Sequence, residues 1–267
     1  MNPAELHALV SAALPDEDLT VEDVETCCCG PGSEVLGDDR AAVAVNVRRW
    51  DEWAVAWILL LAVAPDQQRR GHGRRLVDTA CTWARAEGAR ELHLGSAAPR
   101  YVWPGVDFGF TGALCLSEAC GFEPYGAAFN MTIPTSFRAP TPTGIAIERE
   151  TGRGAIELAE REFPEWVEEV TRGIDKGVCF SARDQQQTTV GFAAHSVNRH
   201  GHIGPMASDP ERRGRGVGNA LLGALCEDIA GVYGTGETEV SWVGPAGFYA
   251  KAGARVSRVF QNGKLAL

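Results

Sequence analysis

Several things are missing from this chain of 267 residues, and each absence closes a class of function. No stretch approaches the roughly 20 uninterrupted apolar residues of a membrane-spanning helix, and the longest apolar run, Trp53 to Ala64, reads as a buried strand. The N-terminal segment, with Glu5, His7, Asp16 and Glu17, has neither the basic nor the apolar part of a secretory leader, so a soluble cytoplasmic protein without a membrane partner is expected. Positive charge is short: 25 Lys and Arg against 35 Asp and Glu leave a formal net charge of −10. Nucleic-acid binding needs a positive surface, so no nucleic-acid partner is expected. The eight cysteines form no framework. Cys27, Cys28 and Cys29 are contiguous and cannot converge on one tetrahedral ion, while His200 and His202 lack a matching cluster, so reduced thiols and no metal are expected. No P-loop run G-x-x-x-x-G-K-[ST] is present, which removes the usual ATP-dependent ligase.

What is present is one device, used twice. Gln68-Arg69-Arg70-Gly71-His72-Gly73 and Arg213-Gly214-Arg215-Gly216-Val217-Gly218 each follow an apolar run closed by a proline, Pro65 or Pro210, and each opens an amphipathic segment. The offset is 145 positions for Pro65 and Pro210, Gly71 and Gly216, Gly73 and Gly218, Leu76 and Leu221, and Cys81 and Cys226. Related domains of ordinary size follow from that register. The first N–H groups of a helix lack intrahelical acceptors and sit at the positive end of its dipole. Glycines let the backbone close on an anion without a Cβ in the way, so a diphosphate-bearing cofactor is the first expectation. Neither copy has the third glycine of the dinucleotide fingerprint G-x-G-x-x-G.

The spacing [Q/R]-x-x-G-x-G between strand and helix resembles motif A of the GNAT superfamily of N-acetyltransferases, in both halves. The resemblance implies an α/β mixed fold of two tandem acyl-CoA N-acyltransferase domains, each a mixed twisted sheet flanked by helices. The expected boundaries are 1–137, a Pro-punctuated linker at 138–144, and 145–267. It implies acetyl-CoA (CoA) on the two turns, with the arm paired to the preceding strand at Leu61 and Val63 in the first copy and at Met206, Ala207 and Ser208 in the second.

Acetyl transfer to an amine needs a neutral amine, donors for the oxyanion and a proton for the thiolate. Phe248-Tyr249-Ala250-Lys251-Ala252-Gly253 looks like the family segment whose tyrosine is the general acid, whereas the first copy has Ser117 at that place. The second domain is therefore expected to be catalytic, and the first degenerate. His195 and His202 are the candidate bases, followed by Asp107 and Glu239. The stretch from Ala97 to Phe108, rich in Tyr, Trp, Pro and Gly and without a counterpart in the second copy, is a candidate wall for the acceptor. The expected function is acetyl transfer to a primary amine of a small molecule by a monomer or homodimer; the alternative is a tandem pseudoenzyme that binds acyl-CoA without turning it over.

Overall fold

The computed structural model describes residues 1–50 and 53–267. Two compact units account for them, Met1–Ala128 with Arg258–Leu267, and Phe129–Ser257. The first runs α1 (Pro3–Ala13), α2 (Val21–Cys28), β1 (Ser33–Gly37), β2 (Ala41–Trp50), β3 (Trp53–Val63), α3 (His72–Ala86), β4 (Ala89–Leu94), the short β5 (Val106–Asp107) and α4 (Thr111–Ala119). β6 (Glu123–Pro134) enters the second unit at Phe129. There follow β7 (Ile145–Arg149), α5 (Gly154–Glu162), α6 (Val167–Asp175), β8 (Cys179–Asp184), β9 (Thr189–His195), β10 (Ile203–Ser208), α7 (Val217–Tyr233), β11 (Glu237–Val240), α8 (Ala246–Lys251) and β12 (Arg255–Ala266). Among the described residues no helix is long and apolar enough to cross a membrane.

In the first unit β1, β2 and β3 are antiparallel neighbours, β4 is parallel to β3, and the end of β12 runs antiparallel to β4 through Gly263 to Ala266. β3 is buried on both faces because helices cover both. Leu76, Val77, Ala80 and Ala84 of α3 pack with Ala54, Ala56 and Ile58. Leu6, Leu9 and Val10 of α1, with Val24, Cys27 and Cys28 of α2, pack with Val55, Trp57 and Leu59. The second unit repeats the plan: β7 to β10 are antiparallel, β11 is parallel to β10, and β6 closes the edge. α7 lies on one face with Leu221, Leu222, Leu225 and Ile229, and α5 and α6 on the other with Leu158, Ala159 and Val170.

Each parallel pair comes apart next to a bulge. β3 places Leu59 as an extra residue between the β2 partners of Ile58 and Leu60. The added residue shifts the alternation, so Leu59 and Leu60 both join the α1 core. Pairing between β3 and β4 stops at Ile58 and Leu94, which leaves that edge of β3 from Leu59 onward without a strand beside it. In the second unit the register shift in β10 falls between Ile203 and Met206, and β10 meets β11 at Ile203 and Val240. Gly204, in that bulge, is 145 positions beyond Leu59.

Two features depart from the sequence reading. The boundary expected at 138–144 is not where the units divide. Arg138 and Ala139 lie against Gly223 of α7, where a Cβ would come 3.2 Å from the Ala139 nitrogen, so this segment packs into the second unit. The chain's last ten residues return to the first unit, where Leu265 and Leu267 join its core. Cys27 and Cys28 end α2, which Thr20 and Asp23 start with a reciprocal capping box, and both are buried under β3.

Candidate functional site

The two glycine turns share one backbone. Each begins with a single 3₁₀ turn, Pro65–Gln67 or Pro210–Arg212. Left-handed residues follow at Arg69 (φ 60°) and Gly71 (φ 83°), and at Gly214 (φ 76°) and Gly216 (φ 84°), which are the same positions under the 145-residue offset. Alternating handedness curls successive N–H groups around a concavity that suits an anion. Gly71 and Gly216 are the N-caps of α3 and α7, and no side chain caps either helix. In the first turn Gln68 Nε2 donates to the Val63 carbonyl at 3.1 Å, tying the loop to β3, and Arg75 Nη1 donates to the Arg70 carbonyl at 3.4 Å. The next glycine admits a neighbouring helix. A Cβ on Gly73 would come 2.9 Å from Leu116 of α4, and one on Gly218 would come 3.3 Å from Phe248 of α8.

Behind the turns the copies differ. A cavity of about 900 Å³ opens in the first unit. Its lining takes in Leu61, Val63, Gln68, Arg69, Gly71, His72 and Gly73, the predicted residues of this copy except the exposed Arg70, and adds Arg74. It passes through the gap between β3 and β4, with Val77, Leu116 and Phe122 from the α3 side and Ala13, Leu14 and Trp103 from the α1 side. In the second unit the cavity at the turn is about 230 Å³, and linker residues Pro142, Thr143 and Gly144 line it with Arg212, Arg215 and Val217. Pro142 Cγ stands 3.3 Å from the place a Gly216 Cβ would take. Met206 and Phe248 both reach Gly218, and Ala207 packs on the α5 core. Ser208 pairs with Gly191 at the end of β10, and Arg213, Gly214 and Arg215 are exposed.

The proton-transfer candidates divide in the same way. Tyr249 is 6% exposed within the apolar core under α7, and burial pushes its phenol pKa up to about 12. Its counterpart Ser117 lines the large cavity, but its hydroxyl donates to the Leu114 carbonyl at 2.8 Å. His195 ends β9 and pairs with the first residue of β10, at the opposite end of that strand from the glycine turn. Its Nε2 is 2.8 Å from Asp228 Oδ2, and its Nδ1 is 2.8 Å from Ser196 Oγ, which in turn meets Tyr233 Oη at 2.9 Å. Burial lowers the His195 pKa against the opposing pull of Asp228. The imidazole is 1% exposed and has a partner on each ring nitrogen. His202 opens β10, with Nδ1 2.9 Å from Ser241 Oγ and 3.8 Å from Glu239 Oε2. Glu239 also accepts from Asn130 and Ser257, whereas Asp107 lines the large cavity.

Residues 17–101 match the acetyltransferase (GNAT) family and residues 175–253 the GNAT domain, together more than half of the chain. The chain belongs to the GNAT acetyltransferases, as a tandem member with one copy in each half. Among solved structures it is similar to a GCN5-related glucosamine N-acetyltransferase region of a fungal multi-domain GH3 β-N-acetylglucosaminidase, at 18% identity and a TM-score of 0.77. That match covers 99% of this chain and 37% of the other, so the chain spans little more than a third of that protein. A tandem GNAT protein from the clavulanic acid biosynthesis pathway matches at 15% identity, a TM-score of 0.71, and coverage of 99% and 94%. A GCN5-related N-acetyltransferase from Sphaerobacter thermophilus matches at 19% identity, a TM-score of 0.63, and coverage of 99% and 93%. At these identities the likeness is one of fold. No curated protein matches the sequence.

The wall of the large cavity was legible in part: Trp103 and Asp107 fall in the aromatic stretch from Ala97 to Phe108, whereas Phe110 lies just beyond it. Arg258, which pairs there with Glu17, had no local signal, because 241 positions separate the partners.

Proposed function

We propose that the chain is an acetyl-CoA-dependent N-acetyltransferase whose coenzyme lies in the first unit, and that it moves the acetyl group to a primary amine of a small molecule. The observation that carries this reading is the cavity of about 900 Å³ leading from the left-handed turn at Arg69 and Gly71 into the gap between β3 and β4. The residues fit the coenzyme. Uncapped N–H groups at the start of α3 would hold the diphosphate, each bond to a charged oxygen contributing about 1.5 to 3 kcal/mol. Arg69 and Arg74 add positive charge at the same place. The free edge of β3 from Leu59 to Val63 offers backbone groups to an amide-bearing arm and donors to the developing oxyanion. This reverses the expected roles of the halves, with the second unit serving structure.

In the transfer the ammonium acceptor first gives one proton to water, the neutral nitrogen forms its bond to the thioester carbonyl carbon, the carbon–sulfur bond breaks, and the nitrogen's second proton passes to Asp107 or to water. A thiol with a pKa of about 8.5 leaves as thiolate more readily than an amine of pKa about 10.4 gives up its proton, so water can protonate the thiolate and a phenol at position 117 is dispensable. The soluble, cytoplasmic, monomeric or homodimeric state expected above belongs to this reading, without nucleic acid or membrane as partner. The engaged hydroxyl of Ser117 favours the second reading, a coenzyme sensor without turnover. Calorimetry with acetyl-CoA, followed by thiol release with a panel of amines that includes glucosamine, tests both. Binding with release supports the transferase, binding without release on every amine supports the sensor, and no heat removes both.

A further inference from the structure

The cavity has a wall that the glycine turn does not form. It is built from Trp103 to Phe110, which overlaps the end of the stretch Ala97 to Phe108 that has no counterpart in the second copy, and is braced by residues from the two ends of the chain. Asp107 Oδ1 accepts from the Gly109 N–H at 2.6 Å, and Oδ2 accepts from Arg258 Nε at 2.5 Å. Arg258 Nη2 and Nη1 donate to the two oxygens of Glu17 at 2.6 and 3.1 Å. Glu17 Oε2 also accepts from Trp103 Nε1 at 3.2 Å. The guanidinium lies 5.8 Å from the centre of the Phe110 ring and 5.2 Å from that of Phe260. Trp103 and Phe110 meet edge to face with centroids 6.3 Å apart, and both line the cavity with Asp107.

Two carboxylates share one guanidinium here, and the Asp107 carboxylate lies at the edge of a largely apolar space. The Asp107 and Glu17 side chains are only 12% and 8% exposed, which limits screening by water. A cation would be drawn to the Asp107 carboxylate, which lines the cavity. An anion would meet two carboxylates, and Arg258 already donates from all three of its nitrogens. The aromatic pair suits a flat or apolar body rather than a hydrated chain.

Resting on the coenzyme placement above, we propose that this wall is the acceptor subsite and that it selects a primary amine arriving as a cation on an apolar or ring-shaped body, without a carboxylate beside the nitrogen. Asp107 receives the ammonium group. Arg258, delivered by the last strand of the chain, is a positioning residue that fixes Asp107 and Glu17. The second copy's terminal strand therefore completes the first copy's site.

The test uses the full-length protein saturated with CoA, and two probes that differ by one carboxylate, phenethylamine and phenylalanine. Calorimetry is expected to show phenethylamine binding at least about 30-fold more tightly, the worth of one charge-assisted contact. Asp107→Asn should abolish the preference while leaving acetyl-CoA affinity within about 2-fold, which also reports that the variant is folded. Trp103→Phe, which keeps the ring and removes the bond to Glu17, should narrow the preference by a smaller factor. Equal or tighter binding of phenylalanine, absence of phenethylamine binding, or a preference unchanged in Asp107→Asn would each overturn the subsite. A protein that gives no heat with acetyl-CoA would instead overturn the coenzyme placement on which it rests.

Discussion

The two glycine turns have the same backbone and different surroundings. Left-handed residues fall at matching positions, both helices start at a glycine N-cap, and both following glycines admit a side chain from a later helix. Yet the cavity of about 900 Å³ at the first turn is lined by Gly71 and Gly73, whereas the cavity of about 230 Å³ at the second is lined by linker residues with Arg212, Arg215 and Val217. In the first copy the later helix presents Leu116 and Ser117; in the second it presents Phe248 and Tyr249, and Met206 joins them over Gly218. A phosphate-binding backbone is a local property of a few residues. An open groove behind it depends on side chains from distant segments, so the turn outlasts the groove.

The sharpest way to break this comparison is to spoil each turn identically. Aspartate at Gly71 or Gly216 meets the same left-handed strain, φ 83° and 84°, and brings the same charge against a diphosphate. Gly71→Asp should weaken acetyl-CoA binding by about 100-fold or more, and Gly216→Asp by less than about 3-fold, measured by calorimetry. The opposite order would move the coenzyme to the second unit.

A comparable contrast concerns the phenol. Tyr249→Phe should leave the acetylation rate within about 2-fold, because a phenol whose pKa burial raises to about 12 is enclosed in the core under α7. A fall of about 100-fold, the usual size of a lost general acid, would restore Tyr249 to the chemistry.

The repeat, both turns and the mixed sheets were legible because each depends on residues close in sequence: proline, alternate glycines, then an amphipathic helix. The copy that holds the open cavity was not legible. Tyr249 matched a family pattern, but whether such a tyrosine faces a cleft or a core is decided by Met206 and the strand leading to Phe129, neither of them its neighbour in the chain. The surroundings of His195 were hidden for a related reason: histidine chemistry suggested a base, while Asp228, which engages its Nε2, becomes a partner only after α7 folds onto β9. Arg258 was the least legible of all, since its partners lie at positions 17 and 107.

The units should also differ in acid. Burial places the folded-state pKa of His195 below its ordinary value of about 6.5, so as pH falls the unfolded chain takes up that proton first. The associated stability is present at and above pH about 6.5 and is lost as pH drops toward the folded value, at no more than about 1.4 kcal/mol per pH unit for one proton. Burial pushes the Asp228 pKa up, but hydrogen bonds from His195 and Arg149 outweigh it and hold it below the usual value, so its contribution is lost only in stronger acid. Hydrogen exchange in β9 and α7 between pH 7.5 and 5 should show the loss, and His195→Asn should flatten the slope whatever it does to the absolute stability. An unchanged slope would mean that this imidazole does not set the acid response.

The smallest expected effect concerns the linker. Pro142 lies over the Gly216 cap, and its removal would appear to uncover the second turn. Pro142→Ala should nevertheless create no second coenzyme site, because Phe248 and Met206 would still occupy the space behind the turn at Gly218. The stability change should stay within about 0.5 to 1 kcal/mol, the range for losing a proline's restraint on the unfolded chain. Titration with acetyl-CoA to saturation should return one site per chain in both wild type and variant. A stoichiometry that rises from one to two on this substitution would show that a single ring, and not the packing behind it, keeps the second copy closed.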